Sequence, residues 1–377
     1  MRVRRLLLVL LLGLPGAWIQ AAHVAAQDDS TLVFIGTQGD EILGARLDGR
    51  SGRLTLTGSM AKLERPTWIV TDPTRPLLYS VSEIGNYTDE RGSVHSFSID
   101  PATGKLGALS RTDSGGNGPT FLSFDPRAKA LFVANFGKGH VAAIPVRDDG
   151  SLAPATSVVT DYGTGPSPKQ RHPHAHAALL DPSGKFVLTP DMGADRVFVY
   201  RYDIQSGALA PADPPFESTG PATGPRHLAF SPDGRFAFVL AELSSELRVF
   251  RWDAANGRLA PVQSVPVDLS EPRSAAEILS SRDGRFLYIS SRAANSIIVF
   301  GVDKQNGTVT RLQEIASGGD TPRSFGIDPS GRWMIVGNQA SKTLAVFRID
   351  AATGRLSAVG GPLPVPQKPV AFAFYPP

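Results

Sequence analysis

The sequence predicts an all-β protein, a seven-bladed β-propeller, on three observations. First, a proline that opens an apolar run recurs along the chain at intervals of 47 to 54 residues. Second, no amphipathic helical pattern separates these runs. Third, the two ends of the chain carry complementary parts of one unit. Repeated all-β units of this length are typical of propeller blades. The opening prolines are Pro66, Pro119, Pro173, Pro225, Pro272, Pro322 and Pro369.

Each unit is predicted to hold four short strands joined by tight turns. The first apolar run ends in a turn such as Asp-Pro-Ser-Gly at residues 181–184 or Ser-Pro-Asp-Gly at residues 231–234. A second run follows, and a third ends in an aspartate, such as Asp203, that we expect to cap the next turn. Glycine and then Leu or Val introduce the fourth strand. Apolar runs bounded by Gly, Pro and Asp indicate strands.

The two ends of the chain are predicted to share one blade. Residues 31–54 match the second and third strands of a unit and the turn that follows, whereas residues 368–374, KPVAFAF, match only a first strand. Together they make the seventh blade and close the ring, which removes the exposed sheet edges. We therefore expect one propeller domain over residues 30–377, without a linker.

Residues 1–26 are predicted to be a cleavable signal peptide. Three arginines lie at the start, an apolar core follows at residues 6–14, and small residues at 24–26 precede Gln27. This order is typical of secretory leaders. Glycines and a proline interrupt the apolar stretch, so we expect no membrane span. The mature chain is predicted to be periplasmic or secreted.

Composition excludes several classes of function. Removing residues 1–26 takes the formal net charge from +3 to zero, so we expect no nucleic acid partner. The chain has no cysteine, which excludes disulfides, thiolate catalysis and cysteine-ligated metals. It also lacks a G-x-S-x-G elbow, an H-E-x-x-H motif and a phosphate-binding glycine loop. We expect a small-molecule substrate, no cofactor, and a monomer or weak homo-oligomer.

Propeller topology predicts where chemistry would take place. The start of each first strand and the end of each second strand meet at one rim near the axis. Arg, His and Glu are costly there unless they are paired or used, so we expect a site, with hydrogen bonding between blades as the alternative. The rim residues are His172, His174, His176, Arg226, His227, Arg273, Glu277, Arg323 and Lys368 from first strands, and Gln38, Glu83, Asn135, Asp191, Glu242, Arg292 and Asn338 from second strands.

The rim histidines and arginines have more than one interpretation. His172, His174 and His176 alternate, which would place them on one strand face. Such parallel side chains converge poorly on a metal, so an acid–base or substrate role is favoured, with structural hydrogen bonding as the alternative. Arginines of the rim would form an anion site for carboxylate or phosphate, unless they pair with acids between blades. An ion-paired, structural Glu242 is likewise an alternative to a functional one.

With these residues, the chain resembles the lactonase family of seven-bladed propellers. That family includes bacterial 6-phosphogluconolactonases of the propeller type and fungal carboxymuconate cyclases. Resemblance to the cyclases implies a catalytic group of His174 (or His176), Arg226, Glu242 and Arg292. We add His176, Asp191, Glu277 and Arg323 as substrate-binding residues, and no metal. The matching stretches are 173–176 (PHAH), 191–195 (DMGAD), 224–227 (GPRH), 242–245 (ELSS), 275–278 (AAEI), 291–292 (SR) and 322–325 (PRSF).

The resulting hypothesis is a 6-phosphogluconolactonase-like lactone hydrolase that acts on a sugar-acid lactone. Arg226 and Arg292 would stabilise the oxyanion or anchor an acidic group of the substrate. Glu242 or His174 would take the proton from the attacking water. The alternatives are a carboxymuconate cyclase-like enzyme that lactonises an unsaturated diacid, and a non-catalytic exported propeller that binds a sugar acid or a protein partner.

Overall fold

Seven four-stranded antiparallel sheets surround one axis in the computed structural model, which describes residues 30–375. Blade 1 contains β1 (Ser30–Thr37), β2 (Glu41–Asp48) and β3 (Leu54–Lys62). Blade 2 contains β4 (Ile69–Thr71), β5 (Leu77–Ser82), β6 (Ser93–Ile99) and β7 (Leu106–Asp113). Blade 3 contains β8 (Pro119–Asp125), β9 (Ala130–Asn135), β10 (His140–Pro145) and β11 (Ser157–Thr160). Blade 4 contains β12 (Leu179–Leu180), β13 (Phe186–Asp191), β14 (Arg196–Asp203) and β15 (Ala208–Ser218).

The remaining blades repeat the same order of strands from the axis outward. Blade 5 contains β16 (Pro225–Phe230), β17 (Phe236–Ala241), β18 (Glu246–Asp253) and β19 (Arg258–Pro266). Blade 6 contains β20 (Ala275–Ser280), β21 (Phe286–Ser291), β22 (Ser296–Val302) and β23 (Val309–Ala316). Blade 7 contains β24 (Pro322–Ile327), β25 (Trp333–Asn338), β26 (Thr343–Ile349) and β27 (Leu356–Pro364). The last strand, β28 (Pro369–Tyr375), completes blade 1.

The ring closes as the sequence predicts. Strand β28 pairs antiparallel with β1, so that Phe34 lies opposite Ala373 and Ile35 opposite Phe372. As an innermost strand, β28 contacts both β24 of blade 7 and β4 of blade 2. The all-β fold with seven blades and a shared closing blade is therefore confirmed.

The hydrophobic core lies between blades rather than within them. Every residue of β5, β9, β13, β17, β21 and β25 is buried, because both faces of each second strand pack against a neighbouring sheet. Between blades 3 and 4, for example, Phe132 packs with Phe198 and Tyr200. This two-sided burial explains why the second strands are continuous apolar runs instead of alternating ones.

The turns at the ends of the third strands are capped by aspartates, as expected. The Oδ1 atom of Asp203 accepts a hydrogen bond from the backbone N–H of Gln205 at 2.9 Å. Asp253 caps the corresponding turn of blade 5 through Ala255 at 3.0 Å. These acids stabilise turns away from the predicted rim, which leaves the rim carboxylates as the candidates for chemistry.

One local prediction is wrong: the three histidines do not share the face of a regular strand. The first strand of blade 4 is only Leu179–Leu180, and Ala175 touches β13 by an isolated bridge to Asp191. The N–H of His174 donates instead to the Asp191 carboxylate at 2.8 Å. A side-chain acceptor replaces the ladder bond here, and Pro173 offers no N–H to a ladder.

The predicted signal peptide over residues 1–26 lies outside the described residues. Within residues 30–375 the chain forms strands and turns, and it has no helix that would be long and apolar enough to cross a membrane.

Candidate active site

Side chains from two repeat positions reach the predicted rim. The first position follows the opening proline, which pairs with the last residue of the second strand, as Pro119 does with Asn135 and Pro322 with Asn338. The pairing register shifts directly after these prolines. Such β-bulges re-aim a side chain, and Thr120 and Arg323 at the bulges line the rim cavity.

The second position is the residue that follows the second strand. Successive side chains point in opposite directions, so an offset of one residue decides whether a side chain faces the cavity. The last residues of the strands, Asn135, Asp191 and Asn338, are fully buried. We expected these three at the rim together with Glu242 and Arg292, and the structure separates them. The residues that come directly after a second strand and line the cavity are Gln38, Glu83, Phe136, Met192, Glu242 and Arg292.

The cavity has a volume of about 510 Å³, and all seven blades contribute to its wall. It therefore lies on the propeller axis. Five cationic side chains line it against two carboxylates, which favours an anionic ligand. The charged lining residues are Arg65, Lys169, Arg171, Arg292, Arg323, Glu83 and Glu242.

Glu242 is held between two arginines of neighbouring strands. Its Oε2 atom lies 2.8 Å from Nη2 of Arg292 and 3.1 Å from Nε of Arg226. Burial alone raises the pKa of this carboxyl, but the guanidinium groups of Arg292, Arg226 and Arg323 outweigh it and lower the pKa to about 2. Glu242 is therefore an ionised carboxylate at neutral pH and a weak base.

Arg226 lies behind Glu242 rather than on the cavity wall. It is 2% exposed, and its Nη1 group donates to the carbonyl of Ala276 in blade 6. Burial, together with Arg323 and Arg292, lowers the pKa of Arg226 to about 9, so it stays charged at neutral pH. The structure thus makes Arg226 a support for Glu242 and not a residue with direct access to the cavity.

Arg323 has its guanidinium in the cavity without a close acid. Among residues 30–375 no carboxylate lies within 4.0 Å of it. Burial lowers the pKa of Arg323, and Glu83 and Glu242 act against this from a longer distance. An arginine in this state is available to an anionic ligand.

His174 faces the cavity as a neutral base. Its Nδ1 atom lies 2.8 Å from the carbonyl oxygen of Phe136, and because a carbonyl only accepts, Nδ1 carries the proton. The lone pair is therefore on Nε2. Burial lowers the pKa of His174, and the Phe136 ring stacks on the imidazole with centroids 4.1 Å apart. Phe136 thus fixes both the tautomer and the ring plane.

His176 lines the cavity beside His174, and it is 5% exposed. Burial, with Arg226, His227 and Arg323 close by, holds the pKa of His176 well below its ordinary value. The imidazole is therefore neutral.

Glu277 does not reach the cavity wall. It is 3% exposed, and its Oε1 accepts from Nδ1 of His227 at 2.8 Å while Oε2 accepts from the Ser324 hydroxyl at 3.1 Å. The carboxylate thus connects blades 5, 6 and 7. Our assignment of Glu277 to substrate binding is corrected to a structural role, because its oxygens are occupied by protein donors.

Asp191 also points away from the cavity. Its Oδ1 atom accepts from the backbone N–H groups of His174, Gly193 and Ala194 at 2.8 to 2.9 Å. Its other oxygen, Oδ2, has no hydrogen-bond partner among residues 30–375, and the buried carboxyl of Asp161, whose Oδ2 also lacks one, interacts with it electrostatically. The assignment of Asp191 to substrate binding is corrected likewise: its carboxylate joins the loop at residues 192–195 to the separate segment that carries His174.

A glycine allows this loop to approach the histidine segment. A Cβ atom at Gly193 would lie 2.0 Å from the carbonyl oxygen of His172, a distance that no side chain tolerates. The Asp-Met-Gly-Ala-Asp stretch is therefore a close-packed support for His174.

Among the described residues, the side chains at this rim do not form a set of metal ligands. Residues 30–375 contain no group of three or more His, Cys, Asp or Glu side chains placed to hold an ion. The His172 and His174 rings lie 4.3 Å apart, while the His176 ring packs against His227 at 5.1 Å. The cavity thus offers cationic side chains, the neutral imidazoles of His174 and His176, and the carboxylates of Glu83 and Glu242 as its chemical groups.

Several cavity residues were not among our candidates. Phe136, Met192 and Thr120 escaped because apolar and small residues at the ends of strands resemble the core. Counting from each opening proline to the same repeat position would have found them. Lys169 and Arg171 lie in the longer connection before His172, which the repeat does not describe.

Comparison with known proteins places this geometry among characterised families. The family model described as "Lactonase, 7-bladed beta-propeller" matches residues 30–374. A solved structure of the periplasmic gluconolactonase of Pseudomonas aeruginosa is 34% identical and has a TM-score of 0.85, covering 92% of this chain and 100% of that one.

Curated relatives bear the name 6-phosphogluconolactonase. The protein of Bacillus subtilis is 32% identical over 191 residues, which is 51% of this chain and 52% of the relative. The protein of Formosa agariphila is 27% identical over 335 residues, which is 86% of this chain and 94% of the relative. The chain spans about half the length of the first two curated relatives it matches, 52% and 54%.

Proposed function

Because the chain belongs to the lactonase family of seven-bladed β-propellers, we propose that it hydrolyses the lactone of a sugar acid. One observation carries the proposal: a neutral His174 with its lone pair on Nε2 lines the same axial cavity as the Glu242–Arg292 pair and Arg323, which has no ion pair within residues 30–375. A base and cationic groups in one water-accessible cavity are what hydrolysis of an ester bond requires.

In the proposed reaction, His174 activates water. Nε2 takes a proton as the water oxygen attacks the lactone carbonyl carbon. The negative charge that develops on the carbonyl oxygen is stabilised by the guanidinium groups of Arg292 and Arg323. The ring C–O bond then breaks, and the proton returns from His174 to the leaving ring oxygen. The product is the open-chain acid.

Glu242 has a different role in this proposal from the one we first considered. A carboxylate with a pKa near 2 retains a proton from water poorly, so it is a poor general base. It instead holds Arg292 against the cavity and balances the charge of the buried Arg226. We therefore propose His174 as the base and Glu242 as the residue that positions the arginines.

The substrate is proposed to be acidic or to yield an acid, because cationic side chains outnumber carboxylates on the cavity wall. The relatives named gluconolactonase and 6-phosphogluconolactonase support a sugar-acid lactone. Gluconolactone with and without a phosphate group are the two substrates to compare first.

The test is acid release at constant pH from a panel of sugar and simple lactones, with boiled protein as the background. We expect saturable hydrolysis of a sugar-acid lactone that falls sharply in His174→Gln. Lack of release from every lactone, with intact binding of gluconate, would instead favour a non-catalytic ligand-binding propeller. Loss of a muconate-type diacid with formation of its lactone would favour the lactonising enzyme, which the cationic wall also fits.

We further propose export, on the leader pattern of residues 1–26 and the periplasmic relative. N-terminal sequencing of the mature protein should begin near Gln27. We expect a monomer or weak homo-oligomer, which sedimentation of the mature chain measures.

A further inference from the structure

One of the seven turns at the cavity departs from the repeat. The connection between second and third strands has three or four residues in blades 1, 3, 4, 5, 6 and 7. In blade 2 it has ten, residues 83–92. Long connections in an otherwise tight repeat are where function concentrates. We name residues 83–92 the blade 2 loop.

The blade 2 loop is fastened to its own blade and to blade 3. Asn86 donates to the Glu83 carboxylate at 2.6 Å, and Lys138 forms an ion pair with Asp89 at 2.6 Å. The buried side chain of Asn117 donates to the carbonyl of Glu90 at 2.7 Å. These contacts hold the loop in one place at the cavity mouth.

This fixed loop presents an aromatic ring to solvent. Tyr87 is 85% exposed, the highest value among the exposed large apolar side chains of residues 30–375. It lines the axial cavity. Covering an exposed aromatic face with apolar surface lowers the free energy. A solvent-exposed ring on a loop that is held in place beside a cavity is therefore suited to contact a ligand.

Tyr87 also continues an aromatic wall that leads to the proposed base. Its ring meets the edge of Phe136, with centroids 6.2 Å apart, and Phe136 stacks on His174 at 4.1 Å. The wall therefore runs from the mouth of the cavity to the Nε2 atom of His174. A substrate whose carbonyl lies at His174 would extend along this wall toward Tyr87.

We propose that Tyr87 is a specificity-determining residue whose ring packs against the apolar C–H surface of the part of the sugar lactone farthest from the reacting carbonyl. This inference rests on the proposed lactone hydrolysis. It accounts for the length of the blade 2 loop, for its fastening and for the exposure of its tyrosine. The phenol hydroxyl has no part in it, so phenylalanine should substitute fully.

The experiment compares Tyr87→Ala with Tyr87→Phe on two lactones of equal ring size. Glucono-δ-lactone carries hydroxyl groups and a hydroxymethyl arm, whereas δ-valerolactone has the bare ring. We expect Tyr87→Ala to raise KM for glucono-δ-lactone about tenfold with little change in kcat, since one aromatic contact of this kind is of that size. Tyr87→Phe should match the parent protein, and δ-valerolactone should not distinguish the variants.

Tyr162→Ala is the matched control, because Tyr162 is 50% exposed and does not line the cavity. An unchanged KM for glucono-δ-lactone in Tyr87→Ala, in a parent protein that hydrolyses it, overturns the inference and leaves the proposed function intact. If the parent protein hydrolyses no lactone, the proposed function fails. Calorimetric measurement of gluconate binding then tests whether the Tyr87 ring contacts a ligand. Weaker binding of gluconate to Tyr87→Ala than to the parent protein then supports the proposed contact of the Tyr87 ring. Equal binding to both proteins, or no binding to the parent protein, contradicts it.

Discussion

Two buried carboxylate clusters lie in neighbouring blades, around residues whose positions in the repeat differ by one. The pKa values of these two residues are shifted in opposite directions. Asp191 is the last residue of β13 in blade 4, and Glu242 directly follows β17 in blade 5. Burial acts on both in the same direction, toward the protonated acid. Arginines around Glu242 lower its pKa to about 2, whereas the pKa of Asp191 is raised to about 6.

In the Asp191 cluster, no cation of the described chain offsets burial. Its carboxyl faces Asp161, whose pKa burial and the charge of Asp191 raise well above the ordinary value. The hydroxyl of Tyr200 donates to Oδ1 of Asp161. The remaining oxygens of the two acids, both Oδ2, find no other donor in the part of the chain that the structure describes. One proton between these two oxygens satisfies both, as in other carboxyl pairs.

The difference teaches that the direction in which a side chain points, and not how deeply it is buried, determines the role of the carboxylate. One step along the repeat turns a side chain from the packed interior toward the cavity, where the arginines converge. A carboxylic acid is then an ionised anchor in blade 5 and half of a proton-sharing pair in blade 4. Replacing a carboxylate by an amide should therefore have opposite consequences in the two clusters.

The largest expected effect is on catalysis at the Glu242 cluster. Glu242→Gln removes the charge that holds Arg292 and balances Arg226, so we expect kcat/KM for the preferred lactone to fall by about 10²–10³-fold. Steady-state hydrolysis measures it. Glu246→Gln is the control. Glu246 is in the same blade but does not line the cavity, and its Oε2 atom lies 2.8 Å from Nη2 of Arg248. Full activity in folded Glu242→Gln would contradict the anchoring role.

The second effect is on stability at the same site. Glu242→Gln leaves a buried guanidinium without its carboxylate, which costs about 3 kcal/mol in the free energy of unfolding at pH 7. The lowered pKa of Glu242 adds stability that is present above its ordinary value of 4.5 and is lost as the pH falls toward about 2. Urea unfolding of the parent protein between pH 5 and pH 3 should show this loss, and Glu242→Gln should lack that part of the slope.

The third effect has the opposite sign and comes from the Asp191 cluster. The raised pKa values mean that folding keeps a proton which the unfolded chain releases, so stability declines as the pH rises from about 4 through about 6 and above. Asp161→Asn replaces the shared proton by an amide N–H that can donate to Asp191, while its oxygen still accepts from Tyr200. We expect a gain of about 2 kcal/mol at pH 8.

Thermal unfolding from pH 5 to pH 8 tests this third prediction. The parent protein should lose melting temperature across the range, and Asp161→Asn should lose less. Asp203→Asn, the same change at an exposed turn cap, should keep the slope of the parent protein. A parent slope that Asp161→Asn leaves unchanged would show that the two acids do not share a proton.

The smallest effect concerns the support behind Glu242. Arg226→Lys keeps the charge but loses the planar group that reaches both Glu242 and the carbonyl of Ala276. We expect kcat/KM to fall about tenfold, mainly in kcat, because the arginine lies behind the cavity wall. Arg235→Lys, an arginine paired with Asp233 at 2.9 Å on an exposed turn, serves as the control. Equal losses in both variants would argue against a special support.

The fold could be predicted almost completely because it depends on a repeated pattern. Residues 368–374 lacked a partner in the sequence, and only the N-terminal unit lacked a first strand, so the closing pair of β28 and β1 followed from counting. The convergence of Glu242, Arg226 and Arg292 followed from the same topology.

The orientation of single side chains could not be predicted in that way. The bulge after the opening proline and the exact end of each second strand decide which residue faces the cavity, and both depend on hydrogen bonds between distant segments. Asp191 resembled a cavity residue because its partner Asp161 lies in an earlier blade. Phe136 resembled a core residue because nothing local indicates that its carbonyl oxygen accepts a hydrogen bond from Nδ1 of His174.

The pairing of β28 with β1 has a consequence in time. Strand β1 is synthesised early, yet the partner that covers its inner edge is the last strand of the described chain. Throughout translation the ring is a broken circle with an open strand edge, and its longest-range contact is the final one to form. The ring therefore closes only after β28 has been synthesised, and until then β1 keeps an unpaired inner edge.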